Sequence, residues 1–313
     1  MPTSSQADFL EEVSCPQCGG RTYTVLRVAQ HPPGMGRKEL LEVYSASSDH
    51  VLLDALVRCE SCDLVYLNPR IRQELILESY ASAVDPQFVR QNEQRIRTFA
   101  RSLRYLVEKY PLRPGAATRV LDVGCAGGAF PKAASDAGFA VIGVEPSKWL
   151  SEQGRINYGL DIRTGLLGGQ DLPAASFDLI TLWDVIEHLT NPTEVIADIH
   201  RLLKPEGLLV VNYPDYGSWA RRLLGSKWPF FLNVHLIYFT PKTITRFLEE
   251  RGFEVLEVKP FWQTLQLGYV FKRASTYFGL FGLCEKIVGA LGLYEVPMKY
   301  NMGQSFLVAR KRP

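Results

Sequence analysis

From residue 118 onward, apolar residues fall in short runs separated by stretches of helical period or by turn residues. Runs at 118–123, 140–145, 178–183 and 207–213 predict strands, and a shorter one lies near 161–164. Helical periodicity over 148–158 and 192–203 separates them, which gives the β-α-β alternation of a mostly parallel sheet with helices on both faces. A helix over 241–250, a strand over 253–259 and a final strand over 304–310 continue the series. Upstream, Phe88, Ile96, Phe99, Leu103 and Leu106 recur at mixed three- and four-residue spacing, so 73–108 reads as a helical bridge that ends at Pro111, Pro114 and Gly115. The first 72 residues follow neither period. The chain is therefore expected to divide into a small module (1–72), a bridge (73–115) and an α/β domain (116–313) interrupted by an insert (260–303).

The 313 residues and 46% hydrophobic content suffice for one full α/β core plus a smaller unit. A net charge of +2 gives no whole-chain electrostatic case for nucleic acid. From Lys259 onward eight Lys or Arg face two Glu, a local excess that suits an anionic substrate or a membrane surface as well as an ordinary basic tail. No basic segment followed by an apolar run opens the chain, so the expectation is a cytoplasmic protein.

Cysteine usage agrees with a reducing compartment. Cys15 and Cys18 form one C-x-x-C knuckle, Cys59 and Cys62 another, 40 residues apart. Each knuckle turns two thiolates toward one ion, and two knuckles complete a tetrahedron; the chemistry favours structural zinc over an iron–sulfur centre or a redox pair. Four protein ligands leave no open position, so such an ion stabilises rather than catalyses. His31 and His50, between the knuckles, read as loop residues, and Cys125 and Cys284 as unreactive filler.

The densest chemical signal is the run from Val120 to Phe130. A buried strand ends beyond Asp122 in Gly124, Cys125, Ala126, Gly127 and Gly128, where missing side-chain bulk lets backbone close on a ligand. The dinucleotide fingerprint fails, because alanine stands at 126 and 129 where glycine is required. A carboxylate ahead of the first glycine repels phosphate and suits an ammonium group. With Glu145 ending the next strand and the run 171–189 after it, this stretch resembles the motifs of class I S-adenosylmethionine-dependent methyltransferases. The resemblance implies a Rossmann-like seven-stranded sheet with the last strand antiparallel between the fifth and sixth. It also implies a division of the cofactor among residues: Asp122 near the aminoacyl end, Gly124, Ala126 and Gly127 at close backbone approach, Glu145 on the ribose hydroxyls, Asp171 and Leu172 at the adenine, Trp183 and Asp184 at the methionine tail and sulfonium.

Methyl transfer is an in-line displacement in which positioning does most of the work. A hydroxyl acceptor also needs a proton acceptor, and His188 and His235 are the candidates, with Glu187 orienting or capping. Around the second knuckle, 58–70 resembles the zinc-ribbon-like leader before bacterial methyltransferases of surface-glycan and sugar-tailoring pathways, except that Asp63 stands where glycine is common. That resemblance implies O-methylation of a sugar, nucleotide-sugar or surface-glycan acceptor. A quinone-type small molecule is the alternative, from the core's likeness to ubiquinone-pathway enzymes. A reading of another class is a zinc-ribbon module for RNA or protein with a modified or inactive core.

The insert 260–303 departs from the family's short turn. It is rich in Phe, Tyr, Leu and Trp, yet Glu285, Lys286 and four glycines preclude a spanning helix. Two readings stand: a lid over the strand ends, with residues such as Tyr277 and Phe278 packed inward, or a surface for membrane or for a second copy, with Lys272, Arg273 and Lys286 on its rim.

Overall fold

The computed structural model describes residues 9–32, 36–44, 52–275 and 279–312. His50, Tyr277 and Phe278 lie outside them. The N-terminal module contains β1 (Leu10–Glu11), β2 (Tyr23–Arg27), α1 (Arg37–Val43), β3 (Leu56–Cys59), β4 (Val65–Leu67) and β5 (Arg70–Ile71). The bridge is three helices, not one: α2 (Gln73–Ala81), α3 (Pro86–Arg90) and α4 (Asn92–Lys109). Pro86 explains the first break. It takes the opening helical position, where its missing N–H costs nothing, behind Asp85, whose carboxylate caps Phe88 N.

The α/β domain follows the alternation expected of it: β6 (Arg119–Val123), α5 (Ala129–Asp136), β7 (Ala140–Glu145), α6 (Lys148–Tyr158), β8 (Ile162–Thr164), β9 (Phe177–Trp183), α7 (Pro192–Leu202) and β10 (Leu203–Pro214). Then come α8 (Trp219–Leu224), β11 (Ile237–Tyr238), α9 (Pro241–Glu249) and β12 (Phe253–Pro260). The insert holds β13 (Gln263–Gln266), α10 (Leu267–Ser275), α11 (Leu280–Ala290) and β14 (Pro297–Tyr300), and β15 (Gln304–Lys311) closes the chain.

The seven-stranded sheet has the order β12-β15-β10-β9-β6-β7-β8, with β15 antiparallel to both neighbours and the central strands parallel. This is the Rossmann-like class I arrangement. Its central strands are apolar on both faces because both are covered. Phe99, Leu103 and Leu106 of α4 pack with Phe130 and Ala133 of α5 on one side, and Ile196, Ile199 and Leu202 of α7 lie on the other. Val123 pairs with Val144 and Leu182, so the loops leaving β6, β7 and β9 open at one edge of the sheet.

A second sheet joins the N-terminal module to the segment after β10. Its order is β11-β4-β3-β2, all antiparallel, so the module carrying the cysteines takes its last strand from the segment after β10. Ile237 faces Tyr66, Leu67 N donates to Leu236 O at 2.9 Å, and Leu52 N donates to Phe231 O at 2.9 Å.

Candidate active site and cysteine cluster

The loop after β6 is shaped by backbone that favours glycine. Gly124 has φ 72° and Gly128 φ 80°. A Cβ on Gly124 would lie 2.6 Å from Val185 Cγ2. Ala126 takes a positive φ of 46°, uncommon for a residue with a side chain, and its N–H donates to Glu145 Oε2 at 2.8 Å. Glu145 Oε1 accepts from Ser147 N at 2.8 Å. Asn92 Nδ2 donates to Gly127 O at 3.0 Å, so α4 holds the far side of the loop.

These residues border a cavity of about 490 Å³, within the usual range of small-molecule sites. Asp122, Gly124, Ala126, Gly127, Glu145, Trp183, Asp184 and His188 all line it. Asp171 and Leu172 do not. Asp171 is exposed and Leu172 is buried in the core behind; the wall beyond Glu145 is formed by 165–169, where Gly165 (φ 126°) and a 3₁₀ turn over Leu167–Gly169 reverse the chain before Asp171 is reached. His235 also stays off the wall, packed behind His188.

The cavity is acidic. Asp85, Asp122, Glu145, Asp184, Glu194 and Asp198 line it against one basic side chain, Arg95. Burial holds the Asp122 carboxyl well above its usual range, against the 2.6 Å hydrogen bond from Thr181. Burial likewise lifts Glu145 to about 7, against the two N–H donors, and Asp184 to about 6, against Arg95 and Gln304. Acids that burial has pushed up regain their charge when a cation joins them. Such a site fits a ligand with an ammonium and a sulfonium, and the glycine cradle fits close approach of its backbone-facing part. Sequence reading passed over Arg95, whose guanidinium carbon stands 3.8 Å above the Phe88 ring and whose buried Nε has no partner in the structure. It suits the carboxylate of the same ligand. Gln304 was also missed; it donates to Asp184 Oδ1 at 2.5 Å from β15.

Beyond β9 stands a polar pair inside an apolar wall. His188 Nδ1 lies 2.8 Å from Val234 O and 2.5 Å from Tyr80 Oη. A carbonyl only accepts, so Nδ1 carries the proton and Nε2 keeps its lone pair. Burial pushes His188 down to about 4 and His235 well below its ordinary value, so both rings are neutral at pH 7. The rings meet edge to face at 4.7 Å, and His235 Nδ1 is 2.8 Å from Phe230 O. Glu187 is 2% exposed with neither carboxylate oxygen bonded in the structure, and burial with nearby Asp184 raises it.

The cysteine cluster lies apart from this cavity. Cys15 Sγ is 3.4 Å from Cys62 Sγ and Cys18 Sγ 3.5 Å from Cys59 Sγ, and all four sulfurs fall within 4.8 Å of one another. Gly19 supplies the left-handed turn of the first knuckle at φ 72°, and Asp63 supplies that of the second at φ 64°, so aspartate here does what glycine does elsewhere. His31 is turned away to Asp54, Nε2 to Oδ1 at 2.8 Å.

Residues 91–258 match the family described as a methyltransferase domain. A protein named ubiquinone biosynthesis O-methyltransferase from Thiobacillus denitrificans is 27% identical over 169 residues, covering 50% of this chain and 72% of that protein. One of the same name from Coxiella burnetii is 26% identical over 170 residues, covering 50% and 70%. In fold, the chain is similar to a crystal structure titled as a SAM-dependent methyltransferase from Archaeoglobus fulgidus, with TM-score 0.50, 19% identity, and coverage of 72% of this chain and 100% of that one.

Proposed function

The chain belongs to this methyltransferase-domain family and is an S-adenosylmethionine-dependent methyltransferase, and we propose that it methylates a hydroxyl oxygen on a small acceptor of the quinone type. The observation that carries the reading is His188: a neutral imidazole with a free Nε2, on the same cavity as the acidic cofactor cradle, whose wall also includes the apolar Leu77, Phe88 and Val185. The similar proteins named for ubiquinone biosynthesis support an aromatic acceptor over a sugar. The glycan reading draws on the leader alone.

In this reading Glu145 accepts the ribose hydroxyls through lone pairs left by Ala126 and Ser147. Asp122 and Arg95 take the two ends of the aminoacyl group, and Asp184 faces the sulfonium side. Residues 166–169 would hold the adenine in place of Asp171 and Leu172. The bound donor supplies an electrophilic methyl group. His188 Nε2 accepts a hydrogen bond from the acceptor O–H and takes its proton as the new C–O bond forms. An imidazole held near 4 is a weak base toward a free hydroxyl. A methylated hydroxyl is strongly acidic, however, so late transfer to His188 runs downhill. His235 and Tyr80 fix the ring. The four cysteines hold a structural zinc, which their number and spacing fit.

The test is calorimetry with S-adenosylmethionine and S-adenosylhomocysteine, followed by methyl transfer to hydroxylated quinols and to nucleotide sugars, read by mass spectrometry. Methylated quinol with unreacted sugar is expected. Methylated sugar with unreacted quinol reverses the acceptor assignment, and no binding of either cofactor form removes the cradle assignment.

A further inference from the structure

The insert leaves an apolar face uncovered. Nine of the fifteen exposed large hydrophobic residues among those described lie between 219 and 296, so they are concentrated and not scattered. On α11, Leu280, Leu283 and Ile287, followed by Leu291 just past its end, recur at i, i+3, i+7 and i+11 and therefore share one helix face. They are 73%, 57%, 49% and 65% exposed. Val288, on another side, is the buried residue of that helix.

We propose that this face lies on an anionic lipid surface, with the α10–α11 hairpin in the headgroup layer. Charge favours that occupant. Lys272, Lys286 and Lys299 are exposed on the insert, and with Arg273 they outnumber Glu285 and Glu295. Lys299 Nζ, on β14, stands 5.4 Å from the centre of the half-exposed Trp262 ring just before β13, which pairs an aromatic wedge with a cation. The adjoining α8 repeats the pattern: its N-cap Ser218 abuts Gly303 at the end of the insert, Trp219 and Leu223 are exposed, and so are Arg222 beside Leu223 and Lys227 past the helix end. A second copy docked face to face would bring two sets of these lysines together around the stripe, whereas phosphate headgroups neutralise them. No described helix is long and apolar enough to cross a membrane, so the contact is interfacial. The insert touches the active-site wall at its first residues. Phe261, next to Trp262, packs 5.6 Å from Trp183 on the cavity wall.

The inference rests on this surface and not on the acceptor, so it is tested without turnover. The full chain is floated with vesicles of phosphatidylcholine alone and of equal parts phosphatidylcholine and phosphatidylglycerol. Binding to the mixed vesicles is expected, weakening with salt. The pair Leu283→Glu and Ile287→Glu should reduce it about tenfold or more, and Lys286→Glu or Lys299→Glu roughly fivefold. An unchanged melting temperature and S-adenosylhomocysteine affinity show that the variants are folded. Wild-type protein that ignores anionic vesicles, or a Leu283/Ile287 variant that floats as well as wild type, overturns the proposal. So does a dimer in sedimentation velocity that the same variant dissolves without any vesicle binding.

Discussion

Ala126 N and Glu145 Oε2 are joined at 2.8 Å, so the glycine loop after β6 and the acid that ends β7 form one unit before any ligand arrives. The carboxylate draws the loop into shape, and the loop's strained φ is held by that bond. Replacing Glu145 should therefore cost twice. Glu145→Ala is expected to weaken S-adenosylmethionine binding by about 1–3 kcal/mol through lost ribose hydrogen bonds, and to loosen 124–128 in hydrogen exchange. Calorimetry showing wild-type affinity would take Glu145 out of the site.

The same residue gives a pH dependence with a definite sign. Burial raises Glu145 in the folded protein to about 7, above its unfolded value near 4.5. The folded state then binds more protons than the unfolded one between those values. Its contribution to stability is full below about 4.5 and is lost as pH rises through about 7. Cofactor binding runs the other way, because ribose hydroxyls donate to the ionised form: affinity should climb as pH rises toward 7 and level off above. Glu145→Gln should flatten that part of both profiles, and a slope that survives the substitution assigns it to Asp184 or Asp122.

Gly124 tests the cradle from the backbone side. Alanine there meets both a left-handed φ of 72° and Val185 Cγ2 at 2.6 Å. Gly124→Ala should lower stability by about 1–3 kcal/mol and weaken cofactor binding. Adding Val185→Ala removes the contact but not the strain, so partial recovery of the melting temperature is expected; full recovery would mean that the backbone angle costs nothing.

What the sequence disclosed and what it concealed divide by range. The β6 loop and Glu145 were legible because strand, glycine turn and acid follow one another within 30 residues, and local sterics dictate their form. Arg95, Tyr80 and Gln304 carried no local signal. Tyr80 and Arg95 reach the cavity, and Gln304 reaches Asp184 on its wall, only after α2, α4 and β15 dock, and a lone Arg, Tyr or Gln in an amphipathic stretch looks like surface. The family resemblance puts Asp171 at the adenine, whereas in the structure the glycines at 165, 168 and 169 bring 165–169 to the cavity wall and leave Asp171 exposed off it. The apolar insert was plain in composition, while its exposed stripe follows from how α10 and α11 pack.

The cysteine cluster is predicted to control more than its own module. β3 ends at Cys59 and pairs with β4, and β4 pairs with β11, so the module reaches the loop that carries His235. Val234 O, in that loop, also orients His188. Chelation should release about one zinc per chain, lower the melting temperature and raise exchange at Leu236 and Ile237, with S-adenosylhomocysteine affinity near wild type. Cys62→Ser should do the same without chelator. A metal-free preparation that melts with the holoprotein removes the structural role.

The two histidines should separate in kinetics. His188 lines the cavity and its Nε2 carries no proton, whereas His235 lies behind it with its ring edge-on. His188→Ala is expected to lower kcat by roughly 10²–10⁴ with little change in cofactor affinity, and His235→Ala to act more weakly, through the tilt of His188. Since burial holds His188 near 4, its protonation should leave the rate at saturating S-adenosylmethionine flat from pH 8 down to about 5 and depress it only near pH 4. A rate set by an ordinary histidine would instead fall through pH 6.5. If His235→Ala is the more damaging substitution, the proton goes to the buried ring instead of His188. If neither substitution slows the reaction, the acceptor loses its proton without help from the protein.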